Sequence, residues 1–117
     1  MKKNLIVLCT FFVIIIFFTI AALIPRNTIE FVPYGGDDLA HIYIFLALSF
    51  LLCFSGIIYK RYIYLILFSY SLFIEILQFM LDVGRSFSYL DILFNFIGIG
   101  LGIGFYYINN KIIKYYK

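Results

Sequence analysis

Residues 5–24 read LIVLCTFFVIIIFFTIAALI, a run of 20 residues without a charged side chain. A helix of about 20 mostly apolar residues crosses the roughly 30 Å of hydrocarbon in a bilayer. Over all 117 residues, 65% are hydrophobic and 13% are charged, whereas soluble domains average about 45–50% apolar and about 25% charged residues. A chain this short cannot bury that much apolar surface in its own interior. The excess is therefore expected to face lipid.

Three further runs of the same kind occupy residues 39–59, 62–81 and 89–108. A membrane strand would need alternating polarity over about ten residues, which these runs lack. The sequence therefore predicts an all-α membrane protein, with residues 1–117 forming a single domain that is a bundle of four transmembrane helices. Lys60 and Arg61 alone are expected to connect the second helix to the third. The longest connection, residues 25–38, is expected to be a surface loop.

The placement of lysine and arginine predicts the orientation of the bundle in the cell membrane. With four crossings, seven of the nine cations fall on one side, and Arg26 and Arg85 fall on the other. Because loops rich in Lys and Arg stay in the cytoplasm, both termini are expected to be cytoplasmic. The net charge of +3 is thus a topology signal. The sequence has no basic stripe of the kind that would predict nucleic-acid binding.

The first apolar run has an alternative interpretation. Residues 1–22 could be a cleaved signal peptide and not a retained helix, which would leave three spans.

A few polar residues within or beside the spans are not explained by lipid contact. His41, the only histidine, begins the second span, and Asp37 and Asp38 precede it by four and three residues. On a helix either carboxylate could reach the imidazole and polarise it for proton transfer or phosphate binding. The alternative for the aspartates is capping of the helix N-terminus.

The third and fourth spans carry the other candidates near the same face of the membrane. Glu75 and Gln78 share one face of the third span, either as part of a site or as a clamp between helices. Arg85, in the turn that follows, could neutralise a carboxylate or a ligand's anion. Asp91 and Asn95 share one face of the fourth span, and Ser88 with Asp91 is typical of a capping box. The first span is expected to contribute packing and orientation but no chemistry.

Four glycines and two cysteines complete the pattern. Gly98 with Gly102 and Gly100 with Gly104 form two small-xxx-small motifs, which favour close helix packing inside the bundle or, alternatively, dimerisation. Cys9 and Cys53 lie in apolar runs without CxxC spacing and are interpreted as packing residues. With one histidine, the sequence predicts neither a metal site nor a cofactor.

Together these residues resemble the VanZ-like family of small membrane proteins. The shared pattern is an Asp four residues before a His, a Glu-x-x-Gln, a Gly-Arg-Ser turn, an Asp six residues after the Arg, and then Asn and Gly. Its members here are Asp37, His41, Phe45, Glu75, Gln78, Gly84, Arg85, Ser86, Asp91, Asn95 and Gly98. Asp38 stands where members often have Lys, and Val83 where they often have Pro. The resemblance implies an association with reduced susceptibility to teicoplanin-type glycopeptide antibiotics, but no mechanism.

Three functions are compatible with this pattern. The first is an outer-face pocket that binds a lipid-linked cell-wall precursor, a lipid headgroup or the antibiotic, using Arg85 and His41 with hydrogen bonds from Gln78, Asp91 and Asn95. The second is an enzyme acting on such a lipid, with His41 as base, oriented by Asp37, and Glu75 or Asp91 as acid. The third is a proton-coupled carrier that relays protons through Glu75 and Asp91. No hydrolase motif such as HExxH supports the enzyme. The sequence does not predict an oligomeric state.

Overall fold

The computed structural model describes residues 2–25, 36–84 and 87–116. Within these ranges the regular structure is entirely α-helical: α1 is Lys2–Leu23, α2 is Gly36–Ser55, α3 is Lys60–Met80 and α4 is Tyr89–Tyr115. Each of these helices is long and apolar enough to cross a membrane. For the described part of the chain, this confirms the all-α fold class and the prediction of four candidate spans.

The outer surface of the bundle is apolar. On α1, for example, Leu5, Ile6 and Phe17 are 64%, 67% and 71% exposed. A surface helix of a soluble protein would turn charged residues outward at such positions. Here lipid can cover them instead, so a helix that is hydrophobic all round needs no polar face.

Consecutive helices run antiparallel, so α2 and α4 run in the same direction. Phe50 of α2 packs against Tyr106, near the end of α4, while His41 meets Asn95 near its start. α2 lies at the centre of the bundle, contacting α1, α3 and α4. The most deeply buried apolar side chains come from three of the helices: Phe45, Leu48, Leu52, Ile63, Leu67, Ile74 and Ile99.

Two of the four glycines allow α4 to lie directly against the backbone of α2. A Cβ atom added at Gly98 would meet the carbonyl oxygen of Ile42, and one added at Gly102 would meet that of Leu46. A Cβ atom at Gly104 would meet nothing within 4 Å. The interpretation of the glycines as packing residues within the bundle is therefore confirmed for the Gly98/Gly102 motif.

The ends of the helices differ from the predicted spans. α2 ends at Ser55, before Gly56 with its left-handed φ of 66°. The connection between α2 and α3 is therefore residues 56–59, and the prediction that Lys60 and Arg61 form it was wrong, since both lie in the first turn of α3. α4 continues to Tyr115 instead of ending at residue 108, because lysines do not interrupt a helix that leaves the hydrocarbon.

The loop predicted over residues 25–38 lies largely outside the described residues. Its last three residues, 36–38, are helical and belong to α2. Both cysteines are free thiols. Cys53 packs in the core as expected, whereas Cys9 lies on the exposed face of α1, so its interpretation as a packing residue was wrong.

The two ends of the bundle carry opposite charge. We call the end with the start of α2, the end of α3 and the start of α4 the acidic end, since it holds Asp38, Glu75, Asp82 and Asp91. We call the opposite end the basic end, since it holds Lys60, Arg61, Lys111 and Lys114.

Candidate functional site

The acidic end gathers polar side chains from α2, α3 and α4 between the helices. The buried members, each exposed by 4% or less, are His41, Ser71, Glu75, Gln78 and Asn95. Such groups are costly to bury at membrane depth unless they bond to one another. The structure thus brings four of the predicted site residues (His41, Glu75, Gln78 and Asn95) into one interior region.

His41 takes its hydrogen-bond partner from α4. Its Nδ1 atom lies 2.8 Å from Oδ1 of Asn95, and Nδ2 of Asn95 donates to the hydroxyl oxygen of Ser71 at 2.7 Å. A carbonyl oxygen can only accept, so with the amide in this orientation the Nδ1 atom of His41 carries a proton. Asn95 therefore holds the ring orientation, and Nε2 of a neutral ring is then an acceptor.

The second ring nitrogen of His41 faces Asp91. The Nε2 atom and Oδ2 of Asp91 are 4.0 Å apart, and the Asp91 side chain is 21% exposed. In the neutral imidazole, both facing atoms are acceptors without a proton between them. The pair can therefore bind a group with two donor protons, such as an ammonium group or a water molecule, and a hydroxyl can donate to one of the two atoms.

Glu75 replaces Asp91 in one half of the predicted capping box. Ser88 is the N-cap of α4, and its hydroxyl accepts from the backbone N–H of Asp91 at 3.2 Å. In a complete capping box, the Asp91 carboxyl would accept from the backbone N–H of Ser88. That N–H instead donates to Oε2 of Glu75 at 3.1 Å. Glu75 thus ties α3 to the start of α4, and the Asp91 carboxyl is left to face His41.

The first helix packs against this region, as expected, and also forms hydrogen bonds with α3. Gln78 donates from Nε2 to the backbone carbonyl of Ala22 at 2.8 Å. The ring of Phe18 packs edge-on against His41, with centroids 5.5 Å apart. The hydroxyls of Thr19 and Tyr70 lie 2.7 Å apart and join α1 to α3. Backbone carbonyls near a helix end carry no side-chain signature, which is why the sequence does not reveal this role.

A groove of about 210 Å³ opens between α1 and α2 beside the imidazole. Apart from His41, the side chains that line it are apolar: Phe17, Phe18, Ala21, Ala22, Ala40 and Ile44. A surface of this kind suits an alkyl chain that enters from the bilayer. The groove therefore joins lipid-facing surface to the polar interior.

Two predicted site residues cannot be placed. Arg85 lies outside the described residues, and only the backbone of Asp37 is described, as part of α2. Asp38, the other aspartate proposed to polarise His41, lies in the first turn of α2. Among the residues described, no three His, Cys, Asp or Glu side chains are grouped closely enough to hold a metal ion.

Sequence reasoning missed Ser71, although a signal was present. Ser71 precedes Glu75 by four residues and Gln78 by seven, so the three share one face of α3. All three side chains are buried there. A polar stripe of serine, glutamate and glutamine could have been recognised from this spacing alone.

Comparison with known proteins agrees with the pattern of polar residues. A family model described as VanZ/LLP1 matches residues 3–110, a range that includes every candidate site residue. No curated protein and no solved structure matches the chain significantly. From the extent of the family match and the apolar helices, the chain is a multi-pass membrane protein that belongs to the VanZ/LLP1 family.

Proposed function

We propose that the acidic end is a binding site for a lipid-linked component of the cell envelope. His41 and Asp91 hold a donor group of its headgroup, and the groove between α1 and α2 holds part of its chain. The observation that carries the proposal is the 4.0 Å separation of the two acceptor atoms, Nε2 of His41 and Oδ2 of Asp91. Two acceptors at that distance are satisfied together by one group that carries two donor protons, such as an ammonium or a primary amide.

The other buried polar residues support this pair. Asn95 and Gln78 already bond within the bundle, to His41, Ser71 and Ala22. We therefore assign them to positioning and leave direct ligand contact to His41, Asp91 and, in the adjoining turn, Arg85. The proposed set of ligand-contacting residues is therefore smaller than the set predicted from the sequence, which also included Gln78 and Asn95.

The charge of the site indicates the kind of headgroup. The acidic end carries four described carboxyl groups, so a purely anionic ligand would be repelled. A sugar or peptide headgroup offers hydroxyl, amide or ammonium donors to Asp91 and His41, and Arg85 can neutralise its phosphate. A lipid-linked cell-wall precursor has this combination, and teicoplanin-type antibiotics act on the same pathway, in line with the family resemblance.

In this proposal the acidic end faces outward and both termini are cytoplasmic. The bias of lysine and arginine toward the basic end supports that orientation. It brings the site to the leaflet where lipid-linked precursors are consumed and where a glycopeptide meets them.

Teicoplanin susceptibility of a sensitive bacterial host tests the proposal. Cells producing the wild-type protein should tolerate more teicoplanin than cells without it. Asp91→Asn removes the charge and converts half of the carboxylate's acceptor capacity into a donor, so tolerance should return to the value of cells without the protein. Arg85→Ala should weaken the effect in the same direction. The measurement is the minimal inhibitory concentration at matched membrane levels of each variant.

Asp82→Asn is the matched control for Asp91→Asn. Asp82 is exposed at the same end, and its φ of 48° is one that asparagine adopts readily. It should behave as wild type. Equal loss in both variants, or wild-type tolerance in Asp91→Asn, would rule out the proposed pair as the binding site.

One observation also favours an enzyme as a second candidate. A hydroxyl that enters beside Asp91 and donates to Nε2 of His41 is positioned for removal of its proton, because the bond from Nδ1 to Asn95 leaves Nε2 of the neutral ring as the base. His41→Gln separates the two functions, because glutamine can still hydrogen-bond but cannot act as a base. A binding site should keep part of its effect in this variant. An enzyme should lose it, and wild-type protein incubated with purified precursor should yield a product of changed mass.

A further inference from the structure

A second cavity lies at the basic end, remote from the proposed site. Its volume is about 610 Å³, and it opens where α2 ends, α3 begins and α4 passes. The lining combines two cations with aromatic, apolar and thiol groups: Cys53, Gly56, Tyr59, Lys60, Arg61 and Tyr106.

The two cations of this cavity are held by aromatic rings. The Lys60 ammonium lies 4.2 Å from the ring centroid of Tyr107 and 4.7 Å from that of Tyr106. The Arg61 guanidinium lies 4.9 Å from the ring centroid of Tyr62. A ring face orients a cation but does not neutralise it, because the ring has no net charge. Both cations therefore keep the capacity to pair with an anion.

No carboxyl group lines this cavity in the described part of the chain. The described acidic residues are Asp38, Glu75, Asp82 and Asp91, all of which lie at the acidic end. Lys111 and Lys114, near the end of α4, add positive charge at the same end of the bundle. The field there is therefore positive and is not screened by a nearby carboxylate.

We propose that this cavity binds the phosphate headgroup of an anionic lipid in the leaflet at the basic end. Lys60 and Arg61 pair with the phosphate, and Arg61 suits it especially, since a guanidinium can donate two parallel hydrogen bonds. Exposed apolar side chains such as Ile57 lie beside the cavity and can contact the acyl chains. This inference is independent of the function proposed for the acidic end. Basic pockets between transmembrane helices are a known type of lipid headgroup site.

Native mass spectrometry of the full chain in detergent, with phosphatidylglycerol added, tests this site. Lys60→Gln combined with Arg61→Gln should weaken binding of the lipid about tenfold or more. Lys111→Gln combined with Lys114→Gln is the matched control, because it removes the same charge from the same end but not from the cavity lining. In the control, the affinity for the lipid should fall by less than about threefold. Equal weakening in both pairs, or none in the first, would overturn the proposal.

Glycerol 3-phosphate distinguishes a lipid from a soluble phosphate compound as the ligand. If the phosphate alone is recognised, this compound should displace phosphatidylglycerol from wild-type protein, and its binding should need Lys60 and Arg61. If the acyl chains contribute, it should not displace the lipid at matched concentration. Together with weaker lipid binding in the Lys60→Gln, Arg61→Gln variant, either result supports the cavity as a phosphate site and identifies the source of the phosphate. If the wild-type protein bound phosphatidylcholine as tightly as phosphatidylglycerol, the proposal would be contradicted.

A second measurement leaves both cations in place, since their removal could impair insertion. Tyr59 lines the cavity and is exposed, whereas Cys53 is buried. In Tyr59→Cys, made in a Cys9→Ser, Cys53→Ser background, alkylation by a small maleimide should be slower in vesicles containing phosphatidylglycerol than in pure phosphatidylcholine vesicles. Equal rates in the two vesicles would overturn the proposal even if the charge variants fail to fold.

Discussion

At the scale of single residues, the environment of His41 is the most specific feature of the protein. The imidazole is 4% exposed, bonded at Nδ1, packed against Phe18 and turned at Nε2 toward Asp91. Asn95 is the residue on which this arrangement depends, because it bonds His41 and Ser71 at once. The amide thus connects α4 to both α2 and α3.

A double-mutant cycle should detect the His41–Asn95 hydrogen bond. Each single change to alanine leaves a buried partner without its bond, so each should lower the free energy of unfolding. The double variant should lose less free energy of unfolding than the sum of the two single losses. The expected coupling energy is about 1 kcal/mol or less, which is typical of hydrogen bonds between membrane helices. The free energy of unfolding in mixed SDS micelles measures it. Additive losses would show that the two side chains do not interact.

At the scale of helices, the contact between α2 and α4 depends on two glycines. Because lipid tails are as apolar as the helix surfaces, the hydrophobic effect does not drive membrane helices together. Their association depends on close packing and hydrogen bonds. Gly98 and Gly102 allow that close packing, and Asn95 adds a polar bond one turn before Gly98. The same helix face thus provides both the packing and the site.

Alanine at Gly98 should destabilise the bundle, whereas alanine at Gly104 should not. The added methyl at residue 98 would overlap the Ile42 carbonyl, which belongs to a helix backbone and cannot rotate away. Overpacking of this kind costs about 1–3 kcal/mol. At residue 104 the space is open. Thermal unfolding of the purified variants measures both, and comparable stability of Gly98→Ala and wild type would contradict the packing described above.

At the scale of the whole molecule, charge is separated along the bundle. The described acidic residues lie at one end, and Lys60, Arg61, Lys111 and Lys114 lie at the other. The bundle is 52 Å long, which exceeds the roughly 30 Å hydrocarbon layer. Both charged ends can therefore reach the headgroup region or water, which allows different ligands in the two leaflets.

Cysteine labelling in intact cells should show the acidic end outside. In the Cys9→Ser, Cys53→Ser background, Asp82→Cys should react with a membrane-impermeant maleimide. Lys114→Cys in the same background should react only after the membrane is opened. The positive-inside bias is the physical reason for this expectation. The opposite labelling pattern would refute the proposed orientation and would move the candidate site to the cytoplasmic leaflet.

Several properties follow from the sequence alone because they depend on local chemistry. An apolar run of about 20 residues must be helical in lipid, since each backbone N–H and C=O needs a partner there. The positions of His41, Glu75, Asp91 and Asn95 near span ends also place them at one end of the bundle. The separation of acidic from basic residues follows in the same way, from the number of crossings.

The tertiary structure alone decides which groups meet. The bond between Gln78 and the Ala22 carbonyl, and that between His41 and Asn95, join residues 56 and 54 positions apart. Such pairings depend on how each helix is rotated and how closely it approaches its neighbours, which local periodicity does not determine. The participation of α1 in the site, the exchange of Glu75 for Asp91 at the Ser88 cap, and the direction of His41 Nε2 toward Asp91 all arise from that packing.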